Sequence, residues 1–288
     1  MTRSNTTTTA TDISDRHRRL LDVMAAYESV LVAFSAGVDS TLVLKVAVES
    51  VGRGRVLAVT GRSPSVARGE LRQARALAWR IGAEHLVVDT DEFADRNYTS
   101  NPTNRCYFCK RTLYHHLAPI AARRGLTTIA NGTNTDDLGD WRPGLRAAEQ
   151  HGVRAPLVEA DLNKSAVRRL SRALGLPTHD KPAAPCLSSR IPYGHPVTPV
   201  KLRAVERAER LIKRRFGLRD CRVRHYGSEA RIEAPNPATT FADPTAVAAL
   251  RVQFRRLGFE RVTIDPRGLR SGSLNEVIAF GTRQRGAG

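Results

Sequence analysis

The stretch VLVAFSAGVDSTLVLKVA, Val30 to Ala47, sets Ser35, Asp39, Ser40 and Thr41 where an apolar, strand-like run gives way to a helix-like one. Small residues at such a junction let the backbone close around an anion, hydroxyls add hydrogen bonds, and the positive end of the following helix attracts phosphate oxygens. An aspartate there repels phosphate unless Mg²⁺ intervenes, so Asp39 is expected to be metal-linked or to shape the loop. No Walker A lysine is present, which argues against transfer of a terminal phosphate and leaves room for a site that holds pyrophosphate as a leaving group. Six residues of this kind also make an ordinary strand-to-helix turn with capping Ser and Asp.

Further groups could do chemistry. Cys106 and Cys109 form the C-x-x-C of RCYFCK ahead of a helix, a pattern shared by redox pairs, half zinc sites and ordinary cysteines. Cys186 lies in KPAAPCLSSRIPYG, and Cys221 lies between Asp220 and Arg222. Three thiolates meeting at one point would suit a [4Fe–4S] cluster with one open iron, able to bind an extra sulfide. NGTNTDDLGDWRPG crowds Asn134, Asp136, Asp137, Asp140 and Arg142 after a strand, where they could position ribose, metal or substrate or simply make a polar turn. Ser188, Ser189 and Arg190 add anion donors beside Cys186. Arg222 and Arg224, two residues apart, share one face of a strand, an arrangement that suits a phosphate clamp although charged strand faces are ordinarily just solvated.

The elements that must hold these groups alternate. Leu20, Leu21, Met24 and Tyr27 at helical spacing precede the strand Val30 to Phe34; RVLAVT, HLVVD and TTIAN read as further buried strands, separated by amphipathic helices. The pattern predicts a doubly wound parallel sheet covered on both faces, an α/β fold. The Pro-rich stretch from Pro177 to Pro199 reads as a functional loop and boundary, followed by a basic helix, two strands, a helix and a strand of a smaller α+β domain. The expected organisation is a disordered leader over 1–14, a nucleotide domain over 15–195 and an α+β domain over 196–288.

With 288 residues, either one large domain or two ordinary ones are possible, and two are expected. Lys+Arg exceed Asp+Glu by 46 to 28, which points to an anionic partner. Only six of the basic residues are lysine, so an arginine-biased composition would produce the same charge. Four cysteines without a secretory signal, a polar Thr-rich start and no apolar run of membrane-spanning length predict a cytoplasmic protein with no membrane partner.

SAGVDS resembles the SGGxDS pyrophosphate loop of N-type ATP pyrophosphatases, with Ala36 where that pattern has its first Gly, a change that bears on the loop's backbone angles and on its approach to phosphate. Together with NPTNRCYFCK, LYHHL, DDLGDWRPGLRAAEQHGVRAPLVEADLNK, SRALGLPTHDKPAAPCLSSRIPYG, VRHYGSEARIE and GLRSGSLNE, the chain resembles the LarE-type ATP-dependent sulfur transferases over roughly residues 15 to 275. That family makes pyridinium-3,5-bisthiocarboxylic acid mononucleotide, the organic part of the nickel-pincer cofactor of lactate racemase.

The resemblance implies ATP and Mg²⁺ held by Ser35, Ala36, Gly37, Val38, Asp39, Ser40, Thr41, Thr60, Gly132 and Asp136, adenylation of a pyridinium carboxylate, and sulfur transfer. It implies a substrate site of Arg142, Ser189, Arg190, Arg222, Arg224, Glu209 and Glu233, and a homo-oligomer, trimer or hexamer. One subgroup of the family sacrifices a single cysteine; another holds a [4Fe–4S] cluster on three. The C-x-x-C here, and Cys186 one position later than the sacrificial cysteine, place this chain with the cluster type, on Cys106, Cys109 and Cys186. The sulfide donor is unspecified. The rival readings are a tRNA thiolation enzyme, which should carry an RNA-binding module or extra zinc-ligand pairs, an amidotransferase, which would leave three thiols without a task, and a nucleotide-binding partner protein whose catalysis Ala36 has weakened.

Overall fold

The computed structural model describes residues 4–139 and 142–270. In chain order the helices are α1 (Ser4–Ala25), α2 (Val38–Val51), α3 (Arg68–Ile81), α4 (Arg96–Thr99), α5 (Arg105–Arg123), α6 (Gly144–Gln150), α7 (Pro156–Glu159), α8 (Lys164–Ala173), α9 (Pro199–Phe216), α10 (Pro237–Thr240) and α11 (Pro244–Arg255). The strands are β1 (Val30–Ala33), β2 (Val56–Arg62), β3 (Glu84–Asp89), β4 (Thr128–Ala130), β5 (Arg222–Tyr226), β6 (Glu229–Glu233) and β7 (Arg261–Ile264).

Two compact units emerge. The first comprises Met1–Ser63, Arg68–Glu92 and Asn104–Pro182. Its sheet has the order β3-β2-β1-β4, with every pair parallel. The strand order reverses between β1 and β4, and the crevice beyond their carboxyl ends is where such sheets bind ligands. The central strands bury nearly every residue, as expected when helices cover both faces. One core joins Val30, Val32, Leu42 and Leu44 to Leu20 and Met24 of α1 and to Val167 and Leu170 of α8. A second, on the other face, joins Leu31, Leu57 and Val59 to Tyr114 and Leu117 of α5.

Helix α1 begins at Ser4, within the stretch expected to be a disordered leader. Once Leu20 and Met24 are buried, each residue added to the packed segment costs no new nucleation, so the helix extends beyond its packed part.

The second unit comprises Pro64–Ala67, Phe93–Thr103 and the chain from Ala183 onward. Its sheet has the order β5-β6-β7, with the first pair antiparallel and the second parallel. Val223, Ala230 and Ile232 turn one face towards Ala208 and Ile212 of α9 and Leu250 and Phe254 of α11, forming a separate core. The second unit takes in residues from Ala183, within the Pro177–Pro199 stretch read as a boundary. The reason is hydrogen bonding: Leu187 N donates to Ser65 O, the Tyr98 and Ser188 hydroxyls meet at 2.7 Å, and Asn101 Nδ2 donates to the carbonyls of Ile191, Pro192 and His195. No helix of the described residues is long and apolar enough to cross a membrane.

Candidate functional site

In the first unit, the turn from β1 to α2 is built from Ser35, Ala36 and Gly37. Ala36 is fully buried and adopts φ +57°, the left-handed region that disfavours a residue with a Cβ. Gly37 occupies the N-cap position of α2 and makes no side-chain cap, which leaves the amides of the first turn without the usual N-cap acceptor. The Ser35 and Ser40 hydroxyls lie 3.1 Å apart across the turn, and Gly37 N donates to Ser35 Oγ at a long 3.4 Å. The buried Thr41 hydroxyl has no hydrogen-bond partner among the described residues. Gly132, after β4, lies so close that a Cβ on it would stand 2.7 Å from Ser40 N. Uncapped amides, a row of hydroxyls and a glycine pressed against the loop make a cradle whose donors fit the phosphates of ATP.

The charges around the loop are ordered. Asp39 forms an ion pair with Lys164 and accepts a hydrogen bond from Asn134 Nδ2 at 3.2 Å. Magnesium commonly binds through one or two carboxylates plus substrate phosphates, so Asp39 fits a metal-linked role, in which Lys164 would exchange the carboxylate for a phosphate. Asp136 accepts from Lys164 N at 3.0 Å and so fastens the start of α8 beside the loop. Asp137, buried, accepts from Asn134 N and pairs with Arg142 at 2.8 Å; burial, which outweighs these contacts, raises its carboxyl above the usual range. Asp140 lies outside the described residues.

Thr60 does not turn its hydroxyl to the crevice. It donates to Phe34 O at 2.7 Å, and its oxygen meets His85 Nε2 at 2.8 Å. The hydroxyl has one proton, already given to Phe34, so His85 must be the donor in the second bond. Burial and the nearby Arg75 lower the His85 pKa. Thr60 and His85 together fix the carbonyl immediately before Ser35.

The C-x-x-C opens α5, with Cys106 exposed and Cys109 partly buried one turn later. None of the four cysteines is in a disulfide. Among the described residues, no group of three or more His, Cys, Asp or Glu side chains comes together as a metal site. Cys106 and Cys109 belong to the first unit and Cys186 to the second.

The second unit contains a buried arginine cluster. Arg190 Nε and Nη2 donate to the two oxygens of Glu209, while Nη1 donates to Pro185 O, Cys186 O and Ser189 Oγ. Arg190 therefore holds the Cys186 segment, with its guanidinium largely committed to protein acceptors. Glu209 also accepts from Val223 N. Arg224 makes a two-pronged pair with Glu233, at 2.9 and 3.0 Å, and donates to Ser189 O. Arg222 Nη1 donates to Arg270 O, but its buried Nε has no partner among the described residues. Burial and the neighbouring Arg190 and Arg224 charges push the Arg222 pKa down. Glu209 and Glu233 pair with Arg190 and Arg224, and the Asp220 carboxylate acts electrostatically on Arg190 and Arg222. The orphaned buried N–H of Arg222 is what an anionic group would satisfy. Cys221 is buried against Glu209, and burial pushes its thiol well above the ordinary range.

Lys164, Lys181, Gln73 and His85 have no place in the sequence-derived site. The available signal was the scarcity of lysine, because two of only six lysines reach the loop from positions far along the chain.

The parallel sheet and the loop at its switch point define a PP-loop ATP pyrophosphatase domain, and residues 13–106 match the family model for NAD synthase. The chain is 47% identical to a Synechocystis protein described as uncharacterized over 252 residues, 87% of this chain and 93% of that protein. It is 35% identical to the pyridinium-3,5-bisthiocarboxylic acid mononucleotide synthase of Lactiplantibacillus plantarum over 270 residues, 92% of this chain and 96% of that protein. Against a tRNA-specific 2-thiouridylase of Azorhizobium caulinodans the identity is 30%, but it spans 53% of this chain and 48% of that protein. The chain belongs to the LarE family of pyridinium-3,5-bisthiocarboxylic acid mononucleotide synthases.

Proposed function

We propose that this chain is an ATP-dependent sulfurtransferase that adenylates the carboxylates of pyridinium-3,5-biscarboxylic acid mononucleotide and converts them to thiocarboxylates, the organic part of a nickel-pincer cofactor. The observation that carries this reading is the near full-length similarity to the Lactiplantibacillus plantarum synthase. The uncapped loop at α2 and the arginine cluster with its orphaned Arg222 N–H support it, since the reaction needs one site for a nucleoside triphosphate and another for a phosphate-bearing substrate.

ATP binds with its phosphates on Ser35, Gly37, Val38, Ser40 and Thr41; Asp39 would hold Mg²⁺, which would supply charge neutralisation to the phosphates. A substrate carboxylate oxygen attacks the α-phosphorus, the α–β bridge breaks, and pyrophosphate leaves. The resulting acyl-adenylate carries AMP, a far better leaving group than oxide. A persulfide on Cys186 attacks the acyl carbon and AMP departs; a thiol reductant then cleaves the S–S bond of the resulting acyl disulfide, releasing the thiocarboxylate and the Cys186 thiol as the reductant is oxidised to its disulfide. Arg222 and Arg224 hold the substrate phosphate, with Glu233 fixing the Arg224 guanidinium and Glu209 that of Arg190. Arg190 keeps the Cys186 segment in place.

The test is a reaction containing chain, ATP, Mg²⁺ and the mononucleotide, with pyrophosphate, AMP and thiocarboxylate measured. Wild type should release pyrophosphate only when the mononucleotide is present. Cys186→Ser should still release pyrophosphate but form no thiocarboxylate. Pyrophosphate release that depends on tRNA, accompanied by salt-sensitive tRNA retention, would replace this reading with tRNA thiolation.

A further inference from the structure

The carbonyl of Ala36 accepts a hydrogen bond from Lys181 Nζ at 2.9 Å, and the same ammonium donates to Gln73 Oε1 on α3 at 2.7 Å. Lys181 is itself braced: Arg168 of α8 donates to the carbonyls of His179 and Lys181, each at 2.8 Å, and Lys181 N donates to Thr178 O. A rigid strut therefore runs from α8 through Lys181 to the turn before α2.

The peptide joining Ala36 and Gly37 is planar and trans, so its C=O and N–H point to opposite sides. Holding the carbonyl against Lys181 turns the Gly37 N–H the other way, into the loop, where Ser35 Oγ accepts it only at long range. Were Ala36 to relax to negative φ, its carbonyl would leave Lys181 and the Gly37 N–H would lose its aim into the loop. The hold matters more here than it would with glycine, because Ala36 at φ +57° sits in a conformation its Cβ resists.

We propose that Lys181 is a positioning residue of the phosphate loop: by anchoring the Ala36 carbonyl it keeps Ala36 left-handed and aims the Gly37 amide at the pyrophosphate. This rests on the reading that the loop binds ATP, and it assigns Lys181 no proton transfer.

A double-mutant cycle on the full chain tests it, with Lys181→Met, Ala36→Gly and the pair. Calorimetric binding of inorganic pyrophosphate and of Mg-ATP gives one readout; hydrogen exchange of the ligand-free segment 35–41 gives another. Lys181→Met should weaken pyrophosphate binding roughly tenfold, the weight of one charge-assisted hydrogen bond, and speed exchange in that segment. In the Ala36→Gly background the binding loss should shrink several-fold, since glycine holds the left-handed turn without help. Gln73→Leu, a milder loss of anchoring from an exposed position, should shift both readouts in the same direction if Lys181→Met folds poorly. An equal loss in both backgrounds would make Lys181 a plain electrostatic contact and overturn the proposal, as would unchanged exchange over 35–41. A wild-type chain that binds neither pyrophosphate nor ATP sinks the nucleotide reading, while the exchange data still decide the strut.

Discussion

Lys164 and Asp39 lie 125 positions apart in sequence and meet as an ion pair at the head of α2. The pair keeps a carboxylate next to a phosphate site without net repulsion. Lys164→Met should leave Asp39 uncompensated and weaken Mg-ATP binding by about tenfold to a hundredfold, the span of a hydrogen bond to a charged group. Higher Mg²⁺ should recover part of the loss. Titration calorimetry at two Mg²⁺ concentrations checks this; equal affinities for wild type and variant would show that Lys164 stays on Asp39 when nucleotide binds.

Gly132→Ala places a methyl group against backbone, 2.7 Å from Ser40 N, where no flexible side chain can yield. The expected cost is about 1–3 kcal/mol of stability, typical of overpacking, with loss of ATP binding because the loop itself must shift. Chemical denaturation paired with an ATP binding assay reads both. A stable variant with native ATP affinity would mean that the two loops separate easily.

Arg224 and Glu233 are 4% and 5% exposed at their side chains. Arg224→Met should destabilise the chain by about 3–5 kcal/mol by stranding a buried carboxylate. Adding Glu233→Met should restore more than half of that, yet substrate affinity should stay lost. Urea denaturation of the two variants separates a charge kept for folding from one kept for binding.

Thiol reactivity should follow burial. Cys106 is exposed, whereas Cys221 is fully buried with its thiol pushed above the ordinary range. At pH 8 a maleimide should label Cys106 within minutes and reach Cys221 only after denaturation, as peptide mass spectrometry would show. Labelling of native Cys221 at a comparable rate would mean that the β5–α9 core opens readily.

His85 and His225 are both held below the ordinary imidazole pKa, first by burial and then by Arg75 and Lys201 respectively. The unfolded chain takes up protons near pH 6.5 that the folded chain refuses. Stability from these groups is therefore complete above about pH 6.5 and falls as the pH drops below it, levelling only beneath the folded values. His85→Gln should flatten part of that slope in melting curves taken from pH 7.5 to 5. An unchanged slope would assign the acid sensitivity elsewhere.

The strands, the α/β class and the loop at Ser35–Thr41 were legible because each is written locally, in an apolar run that breaks at small residues. Thr60 illustrates the limit. Its place at the end of β2 could be read, but the direction of its hydroxyl, set by Phe34 and His85, could not. Lys181 shows the same limit over distance, with 145 residues separating it from Ala36. Proline content suggested a boundary somewhere across Pro177 to Pro199, and the Cys186 segment joins the second unit through Asn101, Ser65 and Tyr98, partners that no spacing rule connects to it. Arg190 read as a ligand donor because its own acceptors, Glu209 and the carbonyls of 185 and 186, are invisible in the linear pattern.

In the β5–β6 ladder, Arg222 stands opposite Glu233 and Arg224 opposite Arg231, while Val223 faces Ile232 on the core side. The gap between the two guanidinium-bearing positions is therefore one strand repeat, about 7 Å, and their common direction depends on parity. Inserting a single residue between them would send one arginine into the apolar core and one valine out of it. Over the course of divergence, β5 should accept changes of residue type at its ends far more readily than any change of length, and a relative with an extra residue there should have lost the shared face of the two arginines.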